Sequence, residues 1–192
     1  INSLYLTSGP MCEKAENLLK KKFNKRYALL TNSWTNGLIS ILLSLNLKEN
    51  DEVIIPACTF VACANVVEMI KAKVVFADIH PKTKLMDIDD CIKKITKKTK
   101  VIMPVHLYGQ PADMKKINKL ASDKNLFVIE DAAQGVGVYS ENNHVGTLGD
   151  IGILSFYGNK TITTAEGGVL LTDCPNIASR AMRLKNHGRD KK

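Results

Sequence analysis

Apolar residues in this chain occur in two kinds of run that take turns along most of its length. Ala15, Leu18, Leu19 and Phe23 recur at helical spacing and predict a helix over residues 11–24. Short, continuously apolar runs then fall at 27–31, 52–56, 73–78, 100–105 and 126–129. Helical stretches separate them at 32–47, 59–71, 89–95 and 112–124. Strands that are apolar throughout, rather than at alternate positions, are buried on both faces. Their alternation with helices predicts an α/β domain with a mainly parallel central sheet flanked by helices. Residues 135–149 are glycine-rich and include Asn142, Asn143 and His144, which predicts a loop or hairpin. Two more strands are expected at 151–156 and 169–172, and a last helix from Pro175 to about Lys185. No repeat, low-complexity tract or linker interrupts the pattern, so 1–192 is read as one domain.

Composition narrows the class. Of 192 residues 45% are hydrophobic and 24% charged, the balance of a water-soluble globular chain. Every long apolar run is broken by Lys, Glu or Asp within a dozen residues, which excludes a membrane span. The opening Ile1-Asn2-Ser3-Leu4-Tyr5 shows no secretory pattern and no initiator Met, so a start trimmed upstream is expected. The net charge of +8 comes from lysines grouped at 20–22, 93–100 and 185–192. They fall on amphipathic helices with almost no aromatics between them, so they read as solvated faces and not as a nucleic-acid surface. Five cysteines without a Cys-x-x-Cys pair argue against a zinc site or a disulfide framework, and fit a reducing cytoplasm.

The chemistry concentrates in a few turns. Lys160 follows the apolar run 151–156, in a turn of glycines and hydroxyls, with another apolar run behind it. Alone it reads as a solvated turn lysine. A lysine between buried strands also has a readily shifted pKa and can form a Schiff base with a carbonyl. Glu130-Asp131, at the end of another strand, supplies a carboxylate partner and moves the reading toward the second. Asn32-Ser33-Trp34-Thr35-Asn36-Gly37 opens a helix, where small polar side chains cap free amides or, with the helix dipole, bind an anion. His106 and Tyr108 lie just past a strand's carboxyl end, where open α/β sheets bind ligands, although a lone His is more often a satisfied structural residue. Asp78 and His80 are read as turn residues. No Gly-x-Gly-x-x-Gly follows the first strand, which sets aside a nicotinamide enzyme.

Ser155-Phe156-Tyr157-Gly158-Asn159-Lys160-Thr161 through Gly168, with Glu130-Asp131-Ala132-Ala133-Gln134, resembles the pyridoxal-phosphate sugar aminotransferases of the DegT/DnrJ/EryC1/StrS family. The likeness runs from about Tyr5 onward and is strongest to 4-keto-sugar aminotransferases of the GDP-perosamine synthase kind. It implies the large domain of the aspartate-aminotransferase-like fold, fold type I. It also implies pyridoxal 5'-phosphate as cofactor, with Lys160 as the catalytic amine and Asp131 against the pyridine nitrogen. Gln134 then lies near the phenolic oxygen, and Thr35, Asn36 and Ser155 contact the phosphate. Phe60 either stacks on the ring or is a core aromatic. His106, Tyr108 and Glu166 are the expected substrate residues, and Thr161, Thr163 and Thr164 either line the sugar pocket or hold the turn.

Sugar dehydratases of the same architecture carry His where this chain has Lys160, so a transaminase is favoured. The expected partners are a nucleotide-linked keto-sugar, glutamate as amino donor and a second copy of the chain. Trp34 stands where a small residue is usual, and Ala165 replaces a glycine. Family members are longer and add a smaller C-terminal domain. A cofactor-binding fragment or regulatory relic without turnover is the competing reading.

Overall fold

Seven strands form the central sheet of the computed structural model, in which residues 8–189 are described. In chain order they are β1 (Tyr27–Thr31), β2 (Glu52–Pro56), β3 (Lys73–Ala77), β4 (Thr99–Ile102), β5 (Phe127–Asp131), β8 (Ile151–Ser155) and β9 (Gly168–Thr172). Across the sheet the order is β1-β9-β8-β5-β4-β2-β3. Pairing is parallel from β8 to β3, while β9 runs antiparallel to both of its neighbours. The predicted loop or hairpin at 135–149 contains a small hairpin, β6 (Tyr139–Ser140) with β7 (Asn143–His144). Helices are α1 (Pro10–Phe23), α2 (Trp34–Ser44), α3 (Ala62–Met69), α4 (Ile88–Lys94), α5 (Met114–Lys124) and α6 (Pro175–Lys185).

The pleat divides the core. In β2, Val53 and Ile55 join a cluster under α2, α3 and α6, while Ile54 joins one under α4 and α5. A third cluster takes Leu154, Val169 and Leu171 beneath α1 and the hairpin. Polar caps set several helix starts: Ser33 accepts from Asn36 N–H, Asp87 from Asp89 and Asp90, and Asp113 from Lys116. The regularity of an all-buried parallel sheet breaks down at β3, which lies at the sheet edge and leaves Phe76 exposed. Helix α3 also starts later than expected, at Ala62, leaving Thr59 and Phe60 in the loop before it. The strand expected at 100–105 ends at Ile102, whereas β5 runs two residues further than predicted and includes both Glu130 and Asp131.

Part of the basic surface is not solvated. Lys185 Nζ bonds Glu16 Oε1 at 3.0 Å and the Leu30 carbonyl at 2.6 Å, and Glu16 also accepts the Leu30 N–H. This pair closes the free side of edge strand β1 with side chains in place of another strand. Residues 1–7 and 190–192, which include the expected trimmed start and the end of the last lysine group, lie outside the described residues.

Gly152 marks the tightest backbone approach in the sheet. A Cβ there would lie 1.9 Å from the Gly146 carbonyl oxygen, and both groups are main chain. Gly152→Ala is expected to cost at least about 3 kcal/mol, read as a lower urea midpoint with an unchanged slope.

Candidate active site

The carboxyl ends of β2, β4, β5 and β8 point the same way, as their parallel pairing requires. Asp131 and Ser155 end β5 and β8, while Phe60, His106 with Tyr108, and Lys160 follow β2, β4 and β8 in turn. Register makes the convergence concrete: Thr31 pairs with Gly168, Gly168 with Ser155, and Asp131 with Ile153. Strand ends that are far apart in sequence thus become neighbours, in the crevice where α/β sheets bind ligands.

The start of α2 is pressed against this row. A Cβ on Gly168 would meet Trp34 N at 2.8 Å and Ser33 O at 2.9 Å, and one on Gly37 would meet Ile153 Cδ1 at 2.7 Å. Only glycine allows such an approach, and it places the open amides of the first helical turn beside Ser155. Ser33 Oγ takes the Asn36 N–H, and Asn36 Nδ2 donates to Asn32 Oδ1 at 2.8 Å. Trp34, the departure from a small residue, leaves this start intact: the helix begins at Trp34 and the indole packs into the α2 core cluster. Its Nε1 is the one buried side-chain nitrogen or oxygen without a hydrogen-bond partner among the described residues.

The two adjacent carboxylates of β5 have opposite environments. Glu130 is fully buried and accepts four donors: the Gly146, Leu148 and Gly149 amides at 2.6–2.7 Å, and His106 Nε2 at 2.9 Å. His106 Nδ1 accepts the Ala112 N–H at 3.1 Å, so the ring proton sits on Nε2 and goes to Glu130. His106 therefore departs from the expectation of a substrate residue. It has no exposed surface, and both nitrogens are committed to protein groups.

Asp131, on the other side of the pleat, is 3% exposed and has only two donors among the described residues. Oδ1 takes the Ala133 N–H at 3.0 Å, and Oδ2 takes the Cys63 thiol at 3.3 Å. Burial pushes its carboxyl above the usual carboxylate range, opposed by these two bonds and by the positive charge of Lys160. Lys160 is thus within electrostatic reach of Asp131. It is half-buried, and its ammonium makes no hydrogen bond or ion pair among the described residues.

The turn that carries Lys160 is held by other groups. Thr163 Oγ1 and Thr164 N–H donate to the Phe156 carbonyl, Thr163 Oγ1 accepts from Ala165 N–H, and Thr164 Oγ1 donates to the Glu166 carbonyl. Thr163 and Thr164 therefore serve the turn. Ala165, in the glycine's place, has φ 67°, a left-handed conformation in which a Cβ is strained.

Gln134 Oε1 accepts the Tyr108 N–H at 2.7 Å, which orients its NH2 as a donor toward any further partner. Tyr108 itself is 71% exposed and left-handed, followed by Gly109 at φ 74°. Phe60 is 67% exposed, so it is not a core aromatic, and Glu166 is exposed. Ser155 is 3% exposed, its Oγ accepting the Tyr157 N–H at 3.4 Å. Sequence reasoning missed Cys63 and left Glu130 without a role. The only trace of Cys63 is its spacing of four from Thr59, whose Oγ1 lies 3.1 Å from the sulfur.

The fold and this strand-end crevice are those of an α/β protein with a mainly parallel central sheet. A family model, the DegT/DnrJ/EryC1/StrS aminotransferase family, matches residues 1–192, and the chain belongs to that family. It is 41% identical over 189 residues to GDP-perosamine synthase of Escherichia coli O157:H7, covering 98% of this chain and 52% of that protein. An aminotransferase from Psychrobacter cryohalolentis superimposes with a TM-score of 0.92 at 35% identity, over 95% of this chain and 46% of the other. NtdA from Bacillus subtilis, solved with bound cofactor PMP, superimposes with a TM-score of 0.87 at 38% identity, over 92% and 40%. The chain spans about half the length of the relatives it matches.

Two stability effects follow from the site. Since the folded pKa of Asp131 lies above its ordinary 3.8, the folded state holds that proton more tightly than the unfolded chain. The contribution is therefore most favourable below the unfolded value and is lost as pH rises through the folded one. Asp131→Asn is expected to raise the melting temperature of the ligand-free protein at neutral pH by roughly 2–8 °C, and to flatten its fall between mildly acid and neutral pH. Ala165→Gly is expected to add about 1 kcal/mol in urea unfolding by relieving the left-handed strain.

Proposed function

We propose that this protein binds pyridoxal 5'-phosphate at the strand-end crevice and serves as an aminotransferase, moving the amino group of glutamate to a nucleotide-linked keto-sugar of the perosamine type. The observation that carries the reading is the half-buried Lys160, unpaired among the described residues, within electrostatic reach of a buried Asp131 that has only two donors among them. A structural lysine of that kind would pair with the carboxylate, and a structural carboxylate would collect donors as Glu130 does.

The donor set fits the cofactor. It offers an amine for an aldehyde, a buried acid for a pyridine nitrogen and helix-terminal amides with hydroxyls for a phosphate. Lys160 would hold the aldehyde end. Asp131 would hold the proton on the ring nitrogen, and the cationic ring offsets the cost of its burial. Gln134 would donate its NH2 to the phenolic oxygen. Thr35, Asn36 and Ser155, at or beside the start of α2, would take the phosphate. Phe60, exposed in the loop after β2, would lie against the ring.

Bound there, the group supplies an electron sink for the carbon that carries the amino group. Lys160 Nζ, freed of other partners, would take a proton from that carbon and return it, as a general base and then acid. Its turn is fixed by threonine and backbone bonds, so the amine can change partners without the loop reorganising.

Residues 1–192 then represent the cofactor-binding domain. Tyr108 and Glu166, exposed at the crevice, would face the sugar. Exposed Phe60, Val61 and Tyr108 beside the crevice support a homodimer that covers them. The free cysteines among the described residues fit a cytoplasmic setting, and no helix among the described residues is long and apolar enough to cross a membrane.

Pyridoxal phosphate is expected to produce a visible absorption band and, after borohydride, a covalent adduct on the peptide that contains Lys160. Lys160→Ala should lose the adduct and, with glutamate and a keto-sugar nucleotide, lower turnover by at least roughly 10³-fold. An adduct that persists in the variant removes Lys160 from this role.

A further inference from the structure

We infer that Cys63 is a positioning residue for the cofactor: held by Thr59, its thiol donates to Asp131 and keeps that carboxylate ionised and aimed at the pyridine nitrogen. The inference rests on the cofactor reading above and names a group that reading does not include.

Cys63 lies in the first turn of α3 and is fully buried, where a cysteine ordinarily behaves as a small hydrophobe. Its immediate neighbours in α3, Ala62, Val66 and Val67, belong to the apolar cluster. The sulfur nevertheless touches two polar atoms, Asp131 Oδ2 at 3.3 Å and Thr59 Oγ1 at 3.1 Å. The proton directions follow from the chemistry of the groups. An ionised carboxylate only accepts, so the thiol must donate to Asp131 and the Thr59 hydroxyl must donate to the sulfur. Burial and the nearby carboxylate push the Cys63 thiol well above its ordinary range, so it remains an S–H donor.

This chain links the loop after β2, which also carries Phe60, to the end of β5. It supplies one of the two donors that Asp131 has among the described residues, and that donor favours the charged carboxylate. Removing it leaves Oδ2 buried without a partner and makes Asp131 easier to protonate. A protonated Asp131 cannot hold a proton on the ring nitrogen.

The test compares Cys63→Ala, Cys63→Ser and Thr59→Val in the intact protein, with pyridoxal phosphate affinity measured from acid to neutral pH. Cys63→Ala is expected to bind roughly 5- to 20-fold more weakly, with the acid limb of the binding curve moved to higher pH. Cys63→Ser, which keeps a donor, should restore both, and Thr59→Val should move the limb in the same direction by less. In the ligand-free protein, the infrared S–H band that disappears in Cys63→Ala should shift to higher frequency in Asp131→Asn.

An acid limb that stays in place in Cys63→Ala overturns the inference, as does equal weakening at every pH in both Cys63 variants. A wild-type protein that binds no pyridoxal phosphate overturns the functional reading and the cofactor role drawn from it. The infrared band tests the thiol–carboxylate contact separately.

Discussion

A carboxylate with two hydrogen bonds among the described residues, buried at the end of a central strand, is costly to keep charged, and it lies at the strand-end crevice. Removing a carboxylate from water costs several kcal/mol unless donors or a cation replace the lost hydration. Glu130 shows what full replacement looks like one residue earlier: three amides and an imidazole, all within 3 Å. Among the described residues Asp131 receives one amide, one thiol and the more distant field of Lys160. The same strand thus carries one acid that closes the fold and one that the fold leaves partly unsatisfied. A site that must bind a cation reversibly has that property, because a fully satisfied acid would gain little from its ligand.

The surrounding architecture keeps this imbalance from being relieved internally. Lys160 could neutralise Asp131 if its turn were free to collapse, but Thr163 and Thr164 tie the turn to the Phe156 and Glu166 carbonyls. The α2 start is fixed from the other side by its backbone approach to Gly168. The turn that carries Lys160 and the start of α2 are therefore each held by their own hydrogen bonds and close backbone contacts.

Much of this was legible in the sequence because the signals were local. Continuous apolar runs alternating with helical ones identify β2, β4 and β5 as parallel, and the strand-end placement of Asp131 and Lys160 needs no more than that. What was not legible depends on partners far away in the chain. Val169–Thr172 is as apolar as any parallel strand, and the connection over 156–167 is long enough for either sense, so only the pairing with β8 and β1 shows that β9 runs the other way. Phe76 reads as core because nothing local reveals that β3 has a neighbour on one side only. Glu130 and Asp131 look like one acidic pair until the pleat turns them to opposite faces. The same pleat sends Glu130 to His106 and so removes that ring from the ligand side. Cys63 left no signal beyond its spacing from Thr59, since a buried cysteine in a helix is ordinary.

The two departures from the family pattern show how the site tolerates change. At Trp34 a large side chain replaces a small one, yet what matters for an anion is the backbone amide, and that amide is set by Gly168 and the Ser33 cap. The indole is directed into the α2 cluster, so the substitution changes packing and leaves the helix start in place. At Ala165 the change falls on the backbone itself, because a left-handed φ is the property glycine supplied there. The turn accepts the strain because Thr163 and Thr164 bracket it with hydrogen bonds. In one case the geometry is independent of the side chain, and in the other it is enforced against it. Both leave the position of Lys160 relative to Asp131 in the hands of the strands that carry them.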